Sequence, residues 1–142
     1  EDLGSVTPAT RSLLAQVGCC GMDVMQFADN DVREGWAPRQ DKVAYTSTHD
    51  NQTLVGWCGQ RFGLEPDAAR ELAGRLMRAA FGSGAGVVMC TLQDAALLGD
   101  EARMNVPGVA EGNWTWQATE ADLAAGEELL GELAHSTNRE VR

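Results

Sequence analysis

Apolar and polar positions along this chain switch between two periods, and the switches mark its elements. Val24-Met25-Gln26-Phe27-Ala28 is a mostly apolar run suited to a strand buried on both faces. From Val43 to Thr48 the chain alternates, with Val43, Tyr45 and Ser47 on one side and Ala44, Thr46 and Thr48 on the other. β-Branched and aromatic residues at period two predict a strand. Gly86 to Leu92 predicts a third buried strand. Between the last two, Ala69, Leu72, Ala73, Leu76, Met77, Ala80 and Phe81 keep the helical period. Pro66 suits the start of that helix, and Gly82-Ser83-Gly84 its end. An earlier helix is predicted after Thr7 as N-cap and Pro8, with Leu13, Leu14 and Val17 as its apolar face and Gly18 closing it. Thr119 with Asp122 resembles a capping box, and Leu123, Leu130 and Leu133 suit a last helix. Asp29 to Gln40 and Glu101 to Gln117 read as loops, and Ala95–Leu98 as a short helical turn.

Strands alternating with helices imply an α/β fold with parallel pairing and right-handed crossovers. Three strands are legible, with the tail of a fourth expected before Glu1; so few cannot close a barrel. The chain has 142 residues, enough for one core but about half of the ~250 typical of a (β/α)₈ barrel. At 44% hydrophobic and 23% charged it resembles an ordinary soluble domain. The net charge of −10 argues against nucleic acid or an anionic membrane as partner. No apolar run approaches the roughly 18 residues of a transmembrane helix. No signal peptide is seen, but the chain opens at Glu1 without methionine, so its true N-terminus is expected further upstream. Cys19, Cys20, Cys58 and Cys90 lack paired ligand spacing, and a bridge between adjacent Cys19 and Cys20 would be strained. Reduced, buried thiols are expected. His135 has no second histidine near it in sequence and reads as a surface or helix-packing residue.

The strand from Val43 ends on Thr48-His49-Asp50-Asn51. Parallel α/β folds collect chemistry at the carboxyl ends of their strands, so His49 and Asp50 are a candidate site. The competing reading is a polar turn in which Asp50 or Asn51 caps the next element, and both stand on position alone. The wording of the stretch, closed by Thr53 and Gly56-Trp57, resembles the amylomaltases, also called disproportionating enzymes or 4-alpha-glucanotransferases. Further blocks resemble the same family in the same order. They are Glu1-Asp2-Leu3-Gly4, then Gly21 to Phe27, then Gln93-Asp94 with Arg103 to Gly108 and Gly112 to Trp116.

The resemblance implies that residues 1–142 are the C-terminal portion of a single catalytic (β/α)₈ barrel domain, incomplete by itself. It implies a cytoplasmic parent enzyme that moves α-1,4-glucan segments onto the 4-hydroxyl of maltooligosaccharides, glucose or other acceptor sugars. The chemistry is a retaining double displacement without cofactor or metal. Glu1 matches the family's general acid/base, which needs a carboxyl whose pKa its surroundings raise. Asp50 matches the carboxylate that grips sugar hydroxyls and holds the ring distorted. His49 matches a sugar-binding histidine, able as neutral imidazole to give one donor and one acceptor. Asn105 could pair with sugar near the cleavage point or hold the long loop. Gln93-Asp94 could touch substrate or cap the next turn. Trp114 and Trp116 could stack on glucose rings, but packing is the expectation for them, as for Trp36 and Trp57.

Departures from the family pattern are Cys19-Cys20 where proline is common, Asp23 for a lysine, a short Asp29–Gln40 loop and Gln117 for an arginine. No residue here matches the nucleophilic aspartate, so the isolated chain is expected to be inactive. Two other readings remain: a non-catalytic α/β sugar-binding module, and a metal-dependent barrel hydrolase using His49, Asp50 and Glu1.

Overall fold

The computed structural model describes residues 7–18 and 20–139. Thr7 caps helix α1 (Pro8–Val17) by accepting from Thr10 N at 3.2 Å, and Gly18 ends it at φ 67°. Both ends match the sequence signals, yet α1 buries no residue; Leu13 and Val17 are exposed.

Strands β1 (Gly21–Val24), β2 (Lys42–Tyr45) and β3 (Val87–Met89) form a parallel sheet in the order β1-β2-β3. Val24 pairs with Tyr45 and Tyr45 with Met89, so the strands end together along one edge. Each strand is shorter than its apolar run predicts, for a local reason. β1 stops at Val24 because Met25–Phe27 turns into a 3₁₀ helix closed by Ala28 N on Met25 O at 3.1 Å. Met25 enters the core there, while Phe27 points to solvent. β2 stops at Tyr45, where the Thr46 and Ser47 hydroxyls turn to a buried carboxylate. β3 stops at Met89 because Thr91 caps helix α4 (Leu92–Ala95), which also precedes the turn expected at Ala95–Leu98.

The third strand is not buried on both faces. Val88 and Cys90 pack on the core, but Val87 and Met89 are about half exposed. Among the described residues, helices cover one face of the sheet, and a parallel strand needs cover on both to be fully buried.

Helix α2 (Leu54–Phe62) has no counterpart among the elements that the sequence pattern predicts. Thr53 caps it by accepting from Gly56 N at 3.1 Å, and Gly63 closes it at φ 63°. Helix α3 (Pro66–Phe81) buries the predicted face without exception: Ala69, Leu72, Ala73, Leu76, Met77, Ala80 and Phe81. These residues meet Leu54, Val55 and Cys58 of α2, with Met25, Val32, Ala95 and Leu133, in one core. A 3₁₀ turn spans Asp100–Ala102. Helix α5 (Glu120–Ser136) opens on the Thr119–Asp122 capping box and approaches α4 closely at Gly126. A Cβ there would stand 2.7 Å from Leu92 Cδ1, so a larger residue at the crossing would have to displace the Leu92 side chain. Arg139 then donates to the carbonyls of Phe81, Ser83 and Ala85, pinning the end of the described chain to the end of α3.

Candidate active site

Beyond the carboxyl end of β2, residues 48–51 form a tight polar turn. Asn51 Oδ1 accepts from Thr48 N at 3.0 Å and from Thr48 Oγ1 at 2.7 Å, and Asn51 N donates to Thr48 O. Thus Asn51 holds the turn, and Thr53 rather than Asp50 or Asn51 caps the helix behind it. His49 and Asp50 are left facing outward, each about half exposed.

These two side chains stand together. His49 Nε2 lies 3.3 Å from Asp50 Oδ1. Asn105, 55 residues downstream, donates from Nδ2 to the same Oδ1 at 2.6 Å. Asn105 N also donates to His49 O at 3.1 Å. Asp50, His49 and Asn105, chosen from the sequence as site residues, therefore form one cluster. Glu1 lies outside the described residues. Among those described, no hydrogen bond engages Asp50 Oδ2.

The cluster borders a cavity of about 320 Å³ lined by Met22, Tyr45, Thr48, His49, Asp50 and Met89, among others. Its wall is the uncovered face of the sheet: Met22, Tyr45 and Met89 point there, opposite the helix-covered side. The site is thus a polar rim on an apolar floor.

Several residues that support the cluster carried no clear signal. Asp94 is fully buried and is not among the residues that line the cavity. Its Oδ2 accepts from Thr46 Oγ1 at 2.6 Å and Ser47 Oγ at 2.5 Å, and its Oδ1 from Leu54 N at 2.7 Å. Burial raises its pKa, against the pull of these hydrogen bonds. It ties the end of β2 to the start of α2. Gln93, buried beside it, donates to Ala102 O at 3.2 Å. Arg103 reaches back to the turn: Nη2 donates to Asp50 O and Nε to Asn105 O, each at 2.9 Å. Asp100 accepts from Gln52 Nε2 at 2.6 Å and Thr53 N at 3.0 Å.

The tryptophans divide. Trp36 and Trp57 pack against the core, as expected. Trp114 does not: it is 59% exposed, holds φ 60°, and sets its ring 5.3 Å from that of His49. A non-glycine residue at such φ is uncommon. Among the described cysteines all are free; Cys58 is buried and Cys90 half-buried, but Cys20 is exposed, contrary to expectation. Burial, then the charge of Asp94, pushes the Cys58 and Cys90 thiols up to about 12. Among the described residues no three His, Cys, Asp or Glu side chains gather as a metal site requires, and no helix is long and apolar enough to cross a membrane.

A family model described as 4-alpha-glucanotransferase matches residues 1–122. Over 94% of its length the chain is 36% identical to a 4-alpha-glucanotransferase of Streptococcus pneumoniae, of which it covers 29%. A 4-alpha-glucanotransferase of Thermus thermophilus is 33% identical over 87% of the chain, again with 29% of that protein covered. Among solved structures, amylomaltase from Streptococcus agalactiae in complex with acarbose matches with TM-score 0.80 and 25% identity, over 99% of this chain and 32% of that one. The chain therefore spans less than a third of the length of these relatives. The likeness makes its parallel strands and helices part of a (β/α)₈ barrel.

Proposed function

The chain belongs to the 4-alpha-glucanotransferase family, and from that premise we propose that the full-length protein transfers α-1,4-glucan segments between sugars. Residues 1–142 contribute the C-terminal part of its catalytic barrel. The observation that carries this reading is the Asp50–His49–Asn105 cluster at the carboxyl edge of a parallel sheet, opening on a cavity.

The reaction runs in two displacements. A carboxylate supplied by the rest of the barrel attacks the anomeric carbon while Glu1 protonates the departing glycosidic oxygen. Glu1, now a carboxylate, takes the proton from the 4-hydroxyl of an incoming sugar, whose oxygen attacks the anomeric carbon and frees the nucleophile. Asp50 accepts hydrogen bonds from the hydroxyls of the sugar at the cleavage point. Its Oδ1 is already held by Asn105, leaving Oδ2 to the ligand. Bonds that tighten as the ring flattens contribute several kcal/mol to the transition state. His49 and Asn105 hold neighbouring hydroxyls. Maltooligosaccharides are the donors, and glucose or other maltooligosaccharides the acceptors.

The test is turnover of maltotriose by the full-length protein. Asp50→Asn keeps the shape and removes the charge; severe loss of disproportionation with the thermal transition unchanged is expected. Glu1→Gln should cost on the order of 10²–10⁴-fold through lost proton transfer. Near-normal turnover in either variant would sink the reading.

A further inference from the structure

We propose that Arg103 is a positioning residue, a clamp that joins the two segments of the site and aims Asp50. The inference rests on the function proposed above. Among the described residues, the hydrogen bonds of Arg103 go to backbone and not to a sugar-binding side chain. Its guanidinium instead spans two backbone carbonyls, Asp50 O by Nη2 and Asn105 O by Nε, both at 2.9 Å. Asp50 lies 53 residues from Arg103 in sequence, so one side chain bridges the turn after β2 and the loop that carries Asn105. Two further bonds close the same seam: Asn105 N to His49 O at 3.1 Å and Asn105 Nδ2 to Asp50 Oδ1 at 2.6 Å.

The seam has a division of labour. Asn105 grips Asp50 by its carboxylate, and Arg103 grips it by its backbone. A carboxylate held at one oxygen still swings about its Cα–Cβ bond and shifts with its main chain. Fixing Asp50 O removes the second freedom, because that carbonyl and the side chain share one Cα. The requirement selects arginine. A guanidinium presents its N–H groups as a rigid planar fork, whereas an ammonium is a point donor on a flexible stem. Lysine at 103 keeps the charge but cannot hold both carbonyls with that geometry. Displacing a reacting group by about 1 Å costs roughly 10²-fold in rate.

The experiment uses the full-length protein with maltotriose. Arg103→Lys is expected to lower kcat by roughly 10²-fold with a much smaller change in KM. The thermal transition should move little. Arg103→Ala should lose as much, and millimolar guanidinium should recover part of its kcat while methylammonium recovers none. If the alanine variant does not fold, the lysine variant decides alone. Wild-type kcat in Arg103→Lys overturns the clamp, as does a loss confined to KM. If Asp50→Asn is inactive while Arg103→Lys turns over normally, the clamp alone has failed. If Asp50→Asn is active, the proposed function has failed.

Discussion

Replacing Asp94 by alanine strips the acceptor from Thr46 Oγ1, Ser47 Oγ and Leu54 N. The three losses are unequal. Ser47 Oγ lies 3.4 Å from Thr91 Oγ1 and can turn to it. Leu54 N–H has no such choice, since Leu54 is fully buried. An orphaned buried donor costs about 1–3 kcal/mol, and Thr46, equally buried, adds a like amount. The sum is roughly 2–6 kcal/mol. Asparagine should cost less than about 1.5 kcal/mol, because Oδ1 still accepts from Leu54 N and the hydroxyls can reverse to accept from its amide. The two variants also differ in pH response. Burial raises the folded-state pKa of Asp94. Its contribution to stability is therefore complete below the ordinary aspartate value of about 3.9 and is lost as pH rises through the raised one. Asp94→Asn lacks that loss, so it should gain on the parent as pH climbs from about 4. Urea unfolding of the full-length protein and both variants, at pH 4 and pH 7.5, reads all of this. An alanine variant within about 1 kcal/mol of the parent, or an asparagine variant that falls further behind at higher pH, would refute the reasoning.

Gly56→Ala should cost about 1–3 kcal/mol despite alanine's better helix propensity, because its Cβ would overlap the Asp100 carboxylate; urea midpoints check it. Iodoacetamide at pH 8 should label Cys20 and spare Cys58 and Cys90, whose thiols stay protonated; peptide mass mapping after brief exposure reads the sites. The purified 142-residue chain should release no glucose from maltotriose and should self-associate through its uncovered sheet face, read by sugar chromatography and light scattering.

Where local chemistry alone fixes an element, sequence is enough to find it. Thr7-Pro8, Pro66 and the Thr119–Asp122 box start helices where expected, and the buried face of α3 matches its periodicity residue for residue. Helix α2 is hidden because Gly56 and Gly59 weaken its propensity. Gly56 is there for Asp100, a residue 44 positions on, which no local reading sees. The ends of the strands escape a sequence reading because the apolar residues Met25, Phe27 and Leu92 suit a strand as well as a turn or helix; a 3₁₀ turn and a Thr91 cap decide them. The Asp50, His49 and Asn105 cluster is legible through the motifs around it. The roles of Asp94 and Arg103 are not, since Asp94 binds Thr46, Ser47 and Leu54 and Arg103 binds Asp50 O, backbone atoms and hydroxyls 40 or more residues away. Tryptophan usually packs, which is why sequence alone points Trp114 inward; its positive φ is a property of the loop.

The loop after Asn105 is laced by one side chain. Asn113 Oδ1 accepts from Val106 N at 2.9 Å, and its Nδ2 donates to Val109 O at 2.8 Å. Trp114 N donates to Met104 O at 2.7 Å, closing the base. The entropy of ordering this segment is thus lost when the chain folds. Under the proposed function, a glucan arriving at Asn105 would meet an amide already in place, and its binding free energy would not be diverted into freezing a loop. Cutting the lacing, as Asn113→Ala would, should weaken sugar binding with an unfavourable entropy and an almost unchanged set of contacts.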